Sequence, residues 1–321
     1  MNKKIFFAAI IFSEIFFGCS KSTDPSPVTD LHTYKVLPQA TDNAILESNK
    51  PHLAFIDKGS DLKDKLMVFI GGTDSAPSQY QLFSKTAASL GYHVIDISYV
   101  NSVTTLVCKN ETDTECFVKF HEEIIFGGDE SAWVEVDVHN SIMNRIMTLL
   151  QYLHTGHPED GWNNFYVGDD LDFSKCVFAG HSQGGGHATY LAHKHAINRL
   201  IVFCSPSDYS VKYASPAEWC TGNFATTPDR FYGLMHKRDD TVPPDEEYAI
   251  WESMNLVTMS SDTSSADRPT YKNYHALYTD FNASPDAHSH STHNVPVMDA
   301  TLPGGADGEH LKEVWKYFLG N

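Results

Sequence analysis

One junction between an apolar run and a helical stretch limits what this 321-residue chain can fold into. The apolar run Lys175–Gly180 leads directly into Gly180-His-Ser182-Gln-Gly184, and a stretch with helical spacing, Gly184–His195, follows it. A Gly-x-Ser-x-Gly sequence between a strand and a helix is typical of a sharp turn with a strained serine backbone, where the two glycines avoid collisions. The sequence therefore predicts that Ser182 projects, exposed, from a strand-to-helix turn.

Apolar runs alternate with amphipathic stretches along most of the chain. This pattern indicates the α/β class, with a mostly parallel central sheet flanked by helices on both faces. The runs predict strands at Leu66–Gly71, His93–Tyr99, Lys175–Gly180, Arg199–Cys204, Arg230–His236 and Asn273–Phe281, with edge strands near Tyr34–Leu37 and His52–Ile56. Helices are expected at Ser78–Leu90, Val136–His154, Gly184–His195, Pro244–Met254 and Glu309–Leu319.

The same pattern predicts which positions are core and which segments are insertions. In the second predicted helix, an apolar stripe that begins at Val138 and runs to Leu153 is expected to be core. Long regions without periodicity, at 101–135, 259–272 and 284–308, are expected to be cap or loop insertions. The aromatic side chains of the first insertion could form an apolar wall for an acyl group: Phe117, Phe120, Phe126 and Trp133.

A serine hydroxyl is a weak nucleophile unless a base accepts its proton, so this chemistry needs a histidine and an acid elsewhere in the chain. Asp239 and Asp240 follow the predicted strand Arg230–His236, and spacing alone does not separate two adjacent acids. The loop after the last predicted strand offers three histidines. His293 is preferred because it directly precedes the segment Asn-Val-Pro-Val, and His290 and His288 are the alternatives.

These motifs together resemble the α/β-hydrolase superfamily, in particular its uncharacterised bacterial serine esterases and lipase-like enzymes. The resemblance covers residues 50–320 and follows the family order of serine, acid and histidine. Aligning Val242-Pro243 with the family's Asp-x-x-Val-Pro loop makes Asp239 the acid. The family fold, with its long cap insertions, and hydrolysis of carboxylic esters or, less often, amides through an acyl-enzyme are implied, without any cofactor or metal.

The resemblance also implies an oxyanion hole. The segment Gly71-Gly72-Thr73 after an early strand is similar to the family's glycine-rich loop, so the N–H groups of Gly72 or Thr73 are expected to face the substrate oxygen. The N–H of Gln183, at the start of the helix after the nucleophile, is the expected second donor. Gly180 and Gly184 are the structural glycines of the turn.

The first 18 residues are predicted to be a signal peptide. Two lysines precede an apolar run from Ile5 to Phe17, which is shorter than the roughly 20 residues of a spanning helix. Gly18-Cys19 and the polar residues after it resemble a bacterial lipoprotein signal, so Cys19 is the expected site of lipidation. Residues 19–32 are expected to be a tether and 33–321 one domain, either anchored to a membrane on its periplasmic or cell-surface side or secreted.

Five cysteines remain after Cys19, and some of them should pair in an exported protein. Cys108 and Cys116 flank a polar loop and are the preferred disulfide. Cys204 with Cys220 is the second candidate pair, and Cys176, in an apolar strand, is expected to be a buried thiol.

The net charge of −18 makes nucleic acid and anionic membrane surfaces unlikely partners. The expected partner is a small-molecule or acylated substrate that is not strongly anionic, and membrane contact is expected only through the lipid anchor. No protein partner is inferred. Two other hypotheses remain: a non-catalytic surface lipoprotein, and a metal-dependent hydrolase that uses His288, His290 and His293.

Overall fold

The structure, a computed structural model, describes residues 29–48, 50–257, 264–267, 269–286 and 291–320. The strands in these ranges are β1 (Leu31–Val36), β2 (His52–Asp57), β3 (Leu66–Ile70), β4 (His93–Ile97), β5 (Tyr166–Val167), β6 (Asp170–Leu171), β7 (Cys176–His181), β8 (Arg199–Phe203), β9 (Tyr209–Ser210), β10 (Ser215–Pro216), β11 (Phe231–His236), β12 (Ser264–Ser265) and β13 (Ala276–Thr279). The helices are α1 (Pro38–Thr41), α2 (Gln81–Ser89), α3 (Cys116–Phe126), α4 (Ile142–Gly156), α5 (Gln183–Lys194), α6 (Pro244–Ser253) and α7 (Gly305–Phe318).

A nine-stranded sheet forms the centre of the described part, in the order β1-β2-β4-β3-β7-β8-β11-β13-β12. From β4 to β12 all neighbours are parallel, while β2 pairs antiparallel with both β1 and β4. The expected α/β class and mostly parallel sheet are confirmed, and the antiparallel strands are confined to one edge. Two small hairpins, β5 with β6 and β9 with β10, lie outside this sheet.

Side chains alternate between the two faces of the sheet along each strand. Because both faces are apolar, helices cover both of them. In β3, Leu66, Val68 and Ile70 belong to a core with α3, α4, α5 and α6. Met67 and Phe69 point to the opposite core, with α2 and α7. All five of these side chains are fully buried, so β3 is an interior strand.

The parallel register brings several loops to one edge of the sheet. Ile70 at the end of β3 aligns with Gly180 of β7, and His236 at the end of β11 aligns with Thr279 of β13. The carboxyl ends of neighbouring parallel strands open on the same edge, which is the usual position of ligand sites in such sheets. The loops after β3, β7, β11 and β13 therefore meet there.

The first long insertion is more regular than its sequence predicts. It contains α3, whose Glu123 carboxylate is buried and accepts the N–H groups of Glu130, Ser131 and Val136. A buried, hydrogen-bonded glutamate interrupts the apolar spacing by which helices are recognised. The predicted stripe in α4 is wrong at its start, because Ser141 caps the helix and Val138, which precedes the cap, is 62% exposed.

Cys108 and Cys116 form a disulfide that ties the turn before α3 to its first residue. Cys204 and Cys220, the second candidate pair, are instead free buried thiols, as is Cys176. Within the described ranges, every helix is too short or too polar to span a bilayer. The predicted signal peptide and Cys19 lie outside the described residues, and the last residues of the predicted tether, Leu31 and His32, belong to β1.

Candidate active site

Ser182 occupies the turn between β7 and α5 and has a left-handed backbone, with φ of 53°. This conformation is unfavourable for a residue with a side chain and persists only where the surroundings hold it. Two hydrogen bonds hold it here: Ser182 N–H donates to the carbonyl of Phe203 at 3.0 Å, and Ser205 Oγ donates to the Ser182 carbonyl at 2.7 Å. Ser182 is half-buried, not exposed as the sequence predicts.

The two glycines of the turn are required by close approach of the backbone. A Cβ atom at Gly184 would lie 2.1 Å from the carbonyl oxygen of Ile70, and one at Gly180 would lie 2.5 Å from the backbone of Gly184. Both distances are shorter than a carbon atom tolerates. The start of α5 therefore packs directly on the end of β3, and this packing places the loop after β3 beside Ser182.

Asp239 and His293 form a buried pair across two loops. His293 Nδ1 lies 2.7 Å from Asp239 Oδ2, although the residues are 54 positions apart. A carboxylate only accepts hydrogen bonds, so Nδ1 carries a proton, and in the neutral ring Nε2 is then the nitrogen with the free lone pair. His293 Nε2 is buried and has no hydrogen-bond partner among the described residues. The imidazole thus has the tautomer that accepts a proton from a nearby hydroxyl.

Asp239 remains ionised despite its burial. Burial raises its pKa, but the hydrogen bond with His293 and the N–H groups of Val242 and Thr241 outweigh that effect and lower the pKa below its ordinary value. Both N–H groups donate to Oδ1 at 2.8 Å, which leaves Oδ2 for the imidazole. The turn after β11 is therefore built around this carboxylate.

Asp240, the alternative acid, faces the main chain of the histidine loop. Its Oδ1 accepts the Ser291 hydroxyl at 2.8 Å and the His293 N–H at 3.3 Å. Asp240 thus holds the loop, while Asp239 contacts the imidazole. The alternative bases His288 and His290 lie outside the described residues.

A cleft of about 500 Å³ opens above this arrangement, and both Ser182 and His293 line it. The loop after β3 forms one wall, because a Cβ atom at Gly72 would lie only 3.1 Å from Cβ of Ser182. The Gly72 N–H donates to Tyr80 Oη at 3.2 Å, so it is not free to bind a substrate oxygen. The N–H groups of Thr73 and Gln183 have no acceptor within the described part of the chain, so both are available as hydrogen-bond donors.

The lining of the cleft differs from the expected aromatic wall. Phe117 and Phe120 are buried in the core on α3, Trp133 is exposed elsewhere, and neither these nor Phe126 reaches the cleft. From that insertion only Thr104 and Leu106 line it. Among the described lining residues there is no lysine or arginine, and Asp74 is the one acidic residue.

Three further histidines lie near the site, and one of them contacts the loop that carries His293. His181 Nε2 lies 3.0 Å from the main-chain oxygen of His293. His236 holds the acid loop by accepting the Arg238 N–H at 3.0 Å. His187 is buried beneath the site and contacts His121 at 2.8 Å. The only sequence signal for this contact between His181 and the His293 loop is the position of His181 directly before Ser182.

Cys204 and Glu247 were not predicted to belong to the site. Cys204 follows β8 with φ of 47°, and its thiol lies within 4.8 Å of the Asp239 carboxylate. Glu247 on α6 is fully buried and accepts the Ser205 N–H at 2.6 Å through Oε1. Burial, followed by the charge of Asp239, raises the pKa of Glu247 well above its usual range. Asp239 is the carboxylate that contacts the imidazole.

One group of atoms at the site has the chemistry of a metal centre. The Cys204 thiol, the Asp239 carboxylate and a ring nitrogen of His293 lie within 4.8 Å of one another, and these ligand types bind zinc. Burial raises the pKa of the Cys204 thiol well above its ordinary value, so the thiol carries a proton while no metal is bound. The Asp239–His293 hydrogen bond also occupies two of the three groups, so this arrangement fits a hydrogen-bonded pair better than a metal.

Comparison with known proteins does not assign a family to the chain. No protein-family model matches it, and no curated protein matches its sequence.

Proposed function

We propose that this protein is a serine hydrolase of the α/β-hydrolase fold that cleaves carboxylic esters. The observation that carries the proposal is the Asp239–His293 pair in one cleft with Ser182, with Nε2 of His293 left without a partner in the described residues. The order of the three residues, after β7, β11 and β13, is the order of that fold. The strained backbone of Ser182 is further support, as is the close packing that requires glycine at 180 and 184.

In this mechanism His293 Nε2 accepts the proton of the Ser182 hydroxyl as the oxygen attacks the ester carbonyl. Asp239 holds the imidazole in the required tautomer and stabilises the positive charge that develops on it. The Thr73 and Gln183 N–H groups stabilise the oxyanion, helped by the N-terminal end of α5. The imidazolium then protonates the leaving alcohol, and water, activated by the same base, hydrolyses the acyl-enzyme.

Export is part of the proposal. The disulfide between Cys108 and Cys116 supports it, because such bonds persist in oxidising compartments. We expect removal of the first 18 residues and lipidation at Cys19, with the folded domain on the periplasmic or cell-surface side of a membrane. Phase partition of the cellular protein into detergent, compared with a Cys19→Ser variant, tests the lipid anchor.

Reaction with a fluorophosphonate, followed by intact-mass analysis, tests the hydrolase function. We expect one adduct on the wild type and none on Ser182→Ala. Ser207→Ala is the matched control, because Ser207 lines the same cleft and its loss should leave the adduct in place. A folded wild-type protein without an adduct would contradict the proposal and favour the non-catalytic or the metal-dependent hypothesis, which metal analysis and chelator sensitivity then separate.

A further inference from the structure

Tyr80 and His181 form a buried chain of hydrogen bonds between two loops of the proposed active site. The Gly72 N–H lies 3.2 Å from Tyr80 Oη, and Tyr80 Oη lies 3.1 Å from His181 Nδ1. His181 Nε2 completes the chain at 3.0 Å from the main-chain oxygen of His293. Tyr80 is fully buried and His181 is 2% exposed, although both residues border the cleft.

The direction of every bond in this chain follows from its two ends. The His293 carbonyl can only accept, so His181 Nε2 must carry a proton. Burial, with the nearby His293, lowers the pKa of His181 to about 3, which keeps the ring neutral and Nδ1 unprotonated at neutral pH. Tyr80 Oη therefore donates to Nδ1, and it accepts from the Gly72 N–H. With a neutral His181 ring, this one arrangement satisfies all three bonds.

We infer that Tyr80 and His181 are positioning residues that fix the oxyanion loop and the base loop relative to Ser182. Tyr80 accepts the N–H of Gly72, the residue before Thr73. The Thr73 N–H is the proposed oxyanion donor. His181 holds the main chain that carries the catalytic imidazole, and its ring packs on that of His293 with centroids 4.7 Å apart. Since His181 directly precedes Ser182, nucleophile, base and oxyanion loop are joined by one chain of contacts.

This inference rests on the proposed function and goes beyond the triad, because neither side chain is expected to touch a reacting atom. Loss of the Tyr80 hydroxyl would leave two buried polar groups unpaired, Gly72 N–H and His181 Nδ1, and such groups shift to find partners. A displacement of about 1 Å in a catalytic group can lower the rate by about 100-fold. Gly72, Tyr80 and His181 also line the cleft, but loss of the Tyr80 hydroxyl leaves the ring in place, so substrate binding should change little.

Tyr80→Phe tests the inference, with Tyr92→Phe as its matched control. Tyr92 is 5% exposed, donates one hydrogen bond to the Leu319 carbonyl at 2.7 Å and does not line the cleft. We expect Tyr80→Phe to lower kcat for an activated ester by about 10-fold or more, with KM and melting temperature close to those of Tyr92→Phe. Equal kcat in the two variants would overturn the inference.

The tautomer of His181 provides a second test in the unsubstituted protein. Nitrogen-15 NMR of the histidine ring should show a protonated Nε2 and an unprotonated Nδ1, unchanged between about pH 5 and 9. A proton on Nδ1, or titration in this range, would contradict the chain of bonds. Failure of the wild type to react with the fluorophosphonate would overturn the proposed function, whereas normal reaction with an unaffected Tyr80→Phe would overturn only this inference.

Discussion

At the scale of single residues, the two adjacent acids of the loop after β11 have different surroundings. Asp239 points at the imidazole and is shielded from solvent, while Asp240 accepts a hydroxyl and an N–H of the neighbouring loop. One supports chemistry in the proposed mechanism and the other supports loop structure. Their substitutions should therefore separate the two roles.

We expect Asp239→Asn to lower kcat by about 10³- to 10⁴-fold, because an amide no longer enforces the productive imidazole tautomer. Asp240→Asn, which removes the same charge one position away, should lower kcat by less than about 10-fold. Steady-state kinetics on an activated ester make the comparison. A larger loss in the Asp240 variant would mean that the acid has been assigned to the wrong residue.

Glu247 predicts an unusual dependence of stability on pH. Its pKa is raised in the folded protein, so the folded chain keeps a proton that the unfolded chain releases above about pH 4.3. Stability therefore falls as pH rises from that value toward the folded pKa. Glu247→Gln, which mimics the protonated group, should raise the melting temperature at pH 8 by roughly 2–4 °C and have little effect at pH 4.

The control for Glu247 is Glu252→Gln on the same helix, because Glu252 is exposed. It removes the same charge and should leave the pH dependence of the melting temperature as it is in the wild type. If Glu247→Gln had the same pH dependence of the melting temperature as this control, Glu247 would have to be ionised in the folded protein, and the prediction would be wrong.

At the scale of elements, the cleft wall that carries Thr104 and Leu106 is fastened at its far end. The 3₁₀ turn Thr105–Asn110 is joined to α3 by the disulfide, and its Lys109 pairs with Glu246 on α6. The same helix follows the acid loop, so this wall and the Asp239 turn share a support. Loss of either fastening should loosen the wall more than the sheet.

The double variant Cys108→Ser/Cys116→Ser should lose about 2–3 kcal/mol of unfolding free energy, as expected for a disulfide that closes a loop of sequence separation 8. Denaturant unfolding measures the loss. Dithiothreitol should destabilise the wild type by a similar amount and leave the double variant unchanged. A variant as stable as the oxidised wild type would show that the bond contributes nothing to the fold.

The strands and the turn at Ser182 could be predicted from the sequence, whereas the contacts between distant loops could not. The long strands were recognisable because both of their faces are buried, as in Leu66–Ile70, and Ser182 was recognisable because its turn needs glycines at fixed positions. The bonds of Tyr80 to His181 and of His293 to Asp239 join residues 101 and 54 positions apart, so no local pattern records them. The choice of Asp239 over Asp240 likewise depends on the direction in which each side chain points.

At the scale of the whole molecule, charge should select among substrates. The chain has a net charge of −18, and the described lining of the cleft has no basic side chain to oppose it. Asp74 stands exposed at the cleft, where Asn101 holds the loop by donating to the carbonyls of Gly72 and Ser75. A substrate with negative charge therefore meets an unfavourable potential along its whole approach.

We expect kcat/KM for a cationic ester to exceed that for an anionic ester of the same acyl group by about 10-fold at low salt, and the ratio to shrink as salt is added. Asp74→Asn should reduce the ratio several-fold. Asp169→Asn, an equal charge change at an exposed position that does not line the cleft, should leave most of it. A ratio independent of salt would mean that shape, not charge, sets the preference.

The position of His293 late in the chain has a consequence for biosynthesis. The segment after His293 is held by the last helix, where Trp315 donates to the Pro296 carbonyl at 2.9 Å. A ribosome therefore completes the turn that carries the serine long before it makes the base or the helix that seats the base. Under the proposed mechanism, a nascent chain that carries Ser182 but not yet His293 has no working site, because the base is still missing.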